Sequence, residues 1–413
     1  MFTTLLSTIV LATSAFASPY RRQSLSPNYL YFITNDPQGN YVVAANIDAN
    51  GNPIYAGVAS AGGAGVHGLV DPNGPVVPLN PDATFSQGVV QVHQGNGLLA
   101  TVNTANHTVV LFAIDPSDPG RLTMLGQPVP SGGEAPNSLV FNKAGDQLWV
   151  LNTGAVNGIA GFTVTKDGLQ PQDGTFRPLG LNETTPSTGP FGAASQVVYT
   201  QDEKNVIAAV KGPLFGPGFL AAWPIGDDGQ LAENFTEIAT APGGGHPFSL
   251  TPIPGQNAFF SADFSIGVDV YDFSNGIEGV NNSPRTIGVA VPGQDATCWS
   301  AYSELLDKYY VMDVTGHQIT EVQVDSNLAV TVGANWSVTT GPIDSVAMTV
   351  SNHSYLYTLL AKTLQIGVWK LDVDGLPESQ QFLNLTEPVE QDGAFITMNY
   401  VQGMASYTAD WEA

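Results

Sequence analysis

A unit of about fifty residues recurs along the chain, and it constrains the fold more tightly than any other feature, because a repeat fixes architecture before any motif is read. Each copy reads as a strand, a second strand ending near Asn or Asp, a third strand of alternating apolar residues, a D-x-x-G-type turn and a short fourth strand entering a Gly-rich junction. The first copy runs through residues 29–34, 41–48 and 53–58; the second runs through 88–92, 98–103, 108–115 and 121–123. Further copies begin at Ser138, Ser195, Phe248, Trp299 and Val346, and residues 395–400 form a lone strand able to pair with the first copy. Four-stranded units set in a ring bury their sheet faces against neighbours and protect their edges. The sequence therefore predicts an all-β, seven-bladed β-propeller of four-stranded blades, closed by a C-terminal strand. A six- or eight-bladed ring or an array of β-sandwiches would use the same strand content. With 45 Gly, 29 Pro and only 12% charged residues, the composition is that of short strands joined by tight turns.

The N-terminal residues speak to compartment. Leu5 to Ala17 is an apolar, small-residue run ending in Ala-Phe-Ala, too short to cross a bilayer and shaped like a cleavable signal peptide over residues 1–17. Arg21-Arg22 resembles a dibasic processing site, so residues 18–22 are expected to form a short pro-segment and 23–413 a single propeller domain. The expected location is outside the cell, in the medium or on a cell wall. Export would expose acceptor sequons at Asn106, Asn182, Asn234, Asn281, Asn335, Asn352 and Asn384 to glycosylation, least readily at Asn281, where Pro284 follows the sequon. Cys298 is the single cysteine, so no internal disulfide can form and a buried, inert thiol is expected.

A formal charge of −24, from 36 acids against 12 bases, repels nucleic acid and anionic membranes. No stretch reaches the ~18 uninterrupted apolar residues of a membrane span. The expected partner is a small organic molecule or a cell-wall or host-surface component, bound by a monomer.

Propeller sites form where the loops entering the innermost strands converge on the channel. Those junctions carry His67, Glu134, His246, Asp295, Asp344 and Asp392 at similar places in separate copies. His246, Glu134, His67 and Asp295 are the candidate catalytic groups, since a His beside a carboxylate provides the pair that proton transfer needs. Asp344 and Asp392 read as loop caps. Lys211 and Arg177, in long Gly/Pro-rich excursions, are candidates to hold a substrate carboxylate, although a solvated loop charge would look the same; Trp299 and Asn137 complete the candidate binding set. Asp227-Asp228-Gly229 and Asp372-Val373-Asp374-Gly375 lack the downstream Glu of a calcium loop and read as hairpin turns. No nucleophile elbow, phosphate loop, dinucleotide fingerprint or zinc spacing is present, so neither cofactor nor metal is expected.

Tyr31-Phe-Ile-Thr-Asn-Asp-Pro-Gln-Gly-Asn-Tyr-Val-Val-Ala-Ala, with the Gly-Gly-x-x-Pro and Gly-Gly-Gly-His-Pro junctions, resembles the seven-bladed lactonase-like propellers. Within them the likeness is to secreted fungal 3-carboxymuconate cyclase-like proteins, and it spans the chain after the leader. That resemblance implies cofactor-free cyclisation of a carboxylated muconate to a lactone, or lactone hydrolysis. It also implies a channel-mouth His and Glu handling the proton, carried by His246 and, by junction position, His67 and Glu134. Beyond Arg21-Arg22 only Arg121, Arg177 and Arg285 exist, too few to clamp a tricarboxylate, which fits the chain to a neutral or weakly acidic substrate. The alternative expectation is a non-catalytic secreted or wall-associated antigen or adhesin on the same scaffold.

Overall fold

The computed structural model describes residues 27–70, 81–372 and 376–409. The expected signal peptide, the Arg21-Arg22 pair and residues 373–375 of the second Asp-rich turn lie outside the described residues. Seven sheets follow one another around a ring, each a four-stranded antiparallel meander, with a split outer strand in blades 3 and 7. Blade 1 spans 28–60, blade 2 spans 90–130, blade 3 spans 136–178, blade 4 spans 194–239, blade 5 spans 251–290, blade 6 spans 297–337 and blade 7 spans 345–384. The blade count and strand order are those predicted.

Blade 1 supplies only three strands of its own, and its innermost strand is Gln402–Thr408, paired with Asn28–Ile33. Closure thus joins the two ends of the chain and removes the free edge that an open array would present. Residues 395–400, expected to be the closing strand, instead form a turn in which the Tyr400 N–H donates to the Thr397 carbonyl at 3.1 Å. The displacement has a steric cause. Innermost strands approach the crowded axis, and Gly403 there has φ +80°, with a notional Cβ only 2.5 Å from Val89 Cγ2. Gly403-Met-Ala-Ser suits that space, whereas Phe395-Ile-Thr-Met carries the stronger apolar alternation.

Each blade buries both faces against its neighbours, so middle strands read as near-continuous apolar runs: in Tyr41–Ile47 every residue but Tyr41 is buried. Outer strands such as Pro53–Ser60 stay largely half-exposed. The Asn or Asp noted near the end of the second strand also has a function in the architecture. Asp263 takes the backbone N–H groups of Gly245 and His246, both at 2.8 Å, and Asp313 takes those of Asp295 and Ala296 at 2.6 and 2.9 Å. Asn103 and Asn152 donate instead to the carbonyls of Ala61 and Ser131. A polar side chain in each of these blades thus pins the junction arriving from the preceding one, satisfying loop groups that would otherwise be buried unpaired. Among the described residues no helix is long and apolar enough to cross a membrane.

Candidate active site above the central channel

The junction between blades 1 and 2 does more than connect them. Residues 82–87 cross the channel and bond to the inner strands of several blades. The Ser86 hydroxyl donates to the Asn137 carbonyl in blade 3, the Gln87 N–H to Ser195 in blade 4, and the Trp299 indole of blade 6 to the Ser86 carbonyl at 3.1 Å. Gln87 and Ser300 exchange two bonds through the Gln87 side chain, and the Ala83 N–H donates to the Gln402 side chain of the closing strand at 2.9 Å. Asp82 and Phe85 both hold positive φ, at 93° and 50°, a conformation that persists only when its surroundings over-determine it. The segment is a plug tied to opposite sides of the ring.

Around the plug lies a cluster of ionisable groups out of water. Lys211, directly after the second strand of blade 4, is 1% exposed; its ammonium donates to the Phe85 carbonyl and sits 4.7 Å from the centre of the Phe248 ring. The Gln402 amide donates to Asp82 at 3.3 Å and to Asp344 at 2.8 Å, and the Gly403 N–H also donates to Asp344 at 2.8 Å. Burial pushes the Asp82 carboxyl up, against the pull of the Lys211 ammonium. Burial likewise pushes Lys211 down, against the pull of Asp82. Asp344 is raised by burial to about 7, against hydrogen bonds from Gly403 and Gln402. Three groups are thereby brought toward neutrality from opposite directions, the condition in which a side chain exchanges protons efficiently.

On the junction face of the plug opens a cavity of ≈ 450 Å³. Its buried end carries Asp82, Phe85 and Cys298, its walls Phe191, Phe264 and Val314, and its exposed rim Asp295, Thr315 and Lys362. Burial raises the Cys298 thiol well above its ordinary range, which keeps it protonated and inert. Among the described residues no three His, Cys, Asp or Glu side chains are grouped to hold a metal ion. The cavity is mostly apolar, with one carboxyl at its depth.

The sequence-named residues lie at different places around this cavity. Asp295 lines this cavity, while Trp299, Asn137, Lys211 and His67 surround the plug: Asn137 donates to the Thr84 and Ala194 carbonyls, and the His67 ring lies edge-on to Phe85 at 5.8 Å. Lys211 is therefore an interior group, not a solvated loop charge. His246 stands beside the mouth, and Glu134 lies in the junction between blades 2 and 3 without lining the cavity. The His246 ring stacks on Phe264 at 4.4 Å, contacts Phe191 at 5.3 Å, and has Ser265 at Nδ1 and the Pro213 carbonyl 3.2 Å from Nε2. Glu134 accepts from the Thr185 hydroxyl. Arg177 and Asp392 are not brought to the channel: Arg177 sits in the outermost strand of blade 3, its guanidinium donating to the carbonyls of Gly174, Phe176, Leu231 and Ala232, and Asp392 takes the hydroxyl of Tyr55 in the outer strand of blade 1. Asp82, Gln402 and Phe264 escaped the sequence reading. Asp82 alone left a signal, because it lies in the long connection between Ser60 and Val90, and long connections in compact folds are seldom idle.

The sequence matches no family model and no curated protein. Solved structures do match. A periplasmic gluconolactonase from Pseudomonas aeruginosa superposes with a TM-score of 0.65 at 15% identity, covering 93% of this chain and 100% of the other. The fold is that of the seven-bladed lactonase propellers. Two Bacteroides proteins assigned as 6-phosphogluconolactonases agree: that of B. fragilis at TM-score 0.63 and 16% identity over 93% of this chain and 99% of its own, and that of B. uniformis at 0.65 and 14% over 92% and 99%. At such identities the likeness is one of scaffold, and the lactonase propellers lend this chain no catalytic residue directly.

Proposed function

We propose that the protein is a cofactor-independent lactone hydrolase that works in the cavity above the plug, with Asp82 as its acid–base group. The observation that carries this reading is the Asp82 carboxyl, buried at the depth of a mostly apolar cavity and coupled to Lys211. In the reaction, ionised Asp82 takes a proton from water as its oxygen bonds to the lactone carbonyl, the ring C–O bond breaks, and Asp82 returns that proton to the departing ring oxygen. The product is an open hydroxy acid, which releases its own proton to solvent. Lys211 favours the ionised form of Asp82 at the start of the cycle, and Asp82, ionised again once it has returned the proton, repels the carboxylate product outward. The muconate cyclisation that the resemblance implies is a different step, in which a carboxylate oxygen adds to one carbon of a C=C bond while protonated Asp82 gives its proton to the other. His246 acts by positioning, holding Phe191 and Phe264 in the wall, and Glu134 anchors the loop through Thr185.

The reading extends to an exported glycoprotein of fungal type. All seven sequon asparagines are exposed, which supports the glycosylation in this reading. The same exposure favours the second reading, a non-catalytic secreted or wall-associated glycoprotein. Turnover of γ- and δ-lactones, followed by acid release, separates them. Asp82→Asn is expected to lower kcat at least 100-fold, and His246→Ala about tenfold; equal rates in wild type and Asp82→Asn would sink the catalytic proposal.

A further inference from the structure

We infer that the substrate is a lactone bearing an alkyl chain and no phosphate or polyol, with the ring at Asp82 and the chain running out over Phe264 and Phe191 toward Leu214 and Phe215. This rests on the lactonase reading for its chemistry but not for its binding. The first ground is what the cavity can solvate. Its inner half presents one carboxyl against rings and methyl groups, and among the described residues Lys362, exposed at the rim, is the single Lys or Arg on its wall. A phosphate brought in would meet a protein of charge −24 with no forked donor in reach. Sugar hydroxyls would lose water against Phe85, Phe191, Phe264 and Val314, while the polar lining other than Asp82, namely Asp295, Thr315, His317 and Lys362, stays exposed or half-exposed and already bonds water.

The second ground is continuity. Phe191, 37% exposed, packs edge-on to Phe264 at 5.5 Å and to His246 at 5.3 Å. His246 in turn meets the Pro213 carbonyl at 3.2 Å, and the next two residues, Leu214 and Phe215, are 56% and 92% exposed. An apolar path thus leaves the cavity over one side of the mouth and ends on an aromatic ring held in water. Phe191, Leu214 and Phe215 together expose apolar surface on one side of the mouth, and it is this grouping, not any one ring, that an alkyl chain would cover. The loop that carries Phe215, Gly212 to Gly218, is fixed at its base by the Gly218 N–H donating to Gly245 at 2.7 Å, so the ring is presented and not merely trailing.

The test compares γ-butyrolactone, γ-octalactone and γ-dodecalactone with glucono-δ-lactone, and measures calorimetric binding of the matching unreactive γ-lactams. The expected result is kcat/KM and lactam affinity that rise with chain length, by at most about fourfold per methylene while the chain stays enclosed, with glucono-δ-lactone the poorest substrate. Phe215→Ser should reduce the increment for the outer methylenes, and Phe191→Leu that for the inner ones. Chain-length dependence of lactam binding without turnover of any lactone would uphold the inference and overturn the hydrolase reading. A flat series, or preference for glucono-δ-lactone, would overturn the inference and leave the hydrolase standing. Failure of both turnover and lactam binding in the wild-type protein overturns both, with no dependence on how any variant folds.

Discussion

Asp344 shows how much a single buried carboxyl can imprint on the behaviour of this chain. Its value near 7 in the fold, against 3.8 for an ordinary Asp, means that between about pH 4 and 7 the folded chain holds a proton the unfolded chain has released. By linkage the stability it contributes is whole below about pH 4 and drains away as the pH rises to 7. Asp344→Asn keeps the site neutral at all pH values, so urea unfolding should show the variant gaining about 3 kcal/mol on wild type between pH 4.5 and 7.5. A difference constant across that range refutes the assignment. Lys211 and Asp82 make a companion case. Lys211→Met leaves Asp82 without its countercharge and should cost about 1–3 kcal/mol, whereas the double variant with Asp82→Asn should cost less than the sum, by at least about 1 kcal/mol, in a thermodynamic cycle. Additive losses would mean that the two groups do not interact. The sequence marked Lys211 as notable but could not show it buried, since the ring of Phe248 and the carbonyl of Phe85 reach it from two other junctions. His246 was legible as a junction residue for the same reason that its partners were not: Gly243-Gly-Gly-His is local, while Ser265 and Pro213 arrive through folding.

At the scale of elements, the repeat was readable because each blade buries two faces and writes that burial into its middle strands. The closing strand was not, because a strand at the axis is selected for smallness and leaves no apolar rhythm. Gly403 makes this testable. With φ +80° and Val89 Cγ2 and Val90 Cγ1 at 2.5 and 2.9 Å from its notional Cβ, Gly403→Ala must bear both backbone strain and a clash. Gly293 has φ +76° with nothing within 4 Å, so Gly293→Ala bears only the strain. The expected losses by chemical denaturation are about 1 kcal/mol at Gly293 and about 2–4 kcal/mol at Gly403. Equal losses would remove the crowding argument for the position of the closing strand. The plug was illegible on different grounds: Asp82-Ala-Thr-Phe-Ser-Gln has no periodicity, and its role comes from meeting four other blades at once.

For the whole molecule, the acidic charge, the sequons and the cavity can be considered on one surface. A ring closed by pairing its own two ends needs no disulfide, and its one thiol is buried, so a reducing agent is without effect on its core. The seven sequon asparagines are all exposed, yet none of them lines the cavity. Asn106, Asn281 and Asn384 use their amide oxygens to accept backbone N–H groups of Ala64, Ala239 and Thr386, while Asn182, Asn234, Asn335 and Asn352 make no side-chain hydrogen bond among the described residues. A glycan can extend from each of these positions into water without displacing the packing between blades. If the exported-glycoprotein reading holds, the full chain expressed in a eukaryotic host should be recovered from the medium and migrate as a heavy, diffuse band that collapses on treatment with peptide-N-glycosidase. Mass spectrometry should find the lowest occupancy at Asn281, where Pro284 follows the acceptor. Because the sequons and the cavity occupy separate surface, deglycosylation of the folded protein should leave lactone turnover or lactam affinity within about twofold, the change expected where no contact is lost. A larger loss would mean that sugar reaches the mouth of the cavity, and Asn106 and Asn182, the two sequons borne on junction-side loops, are where substitution by Gln would locate it.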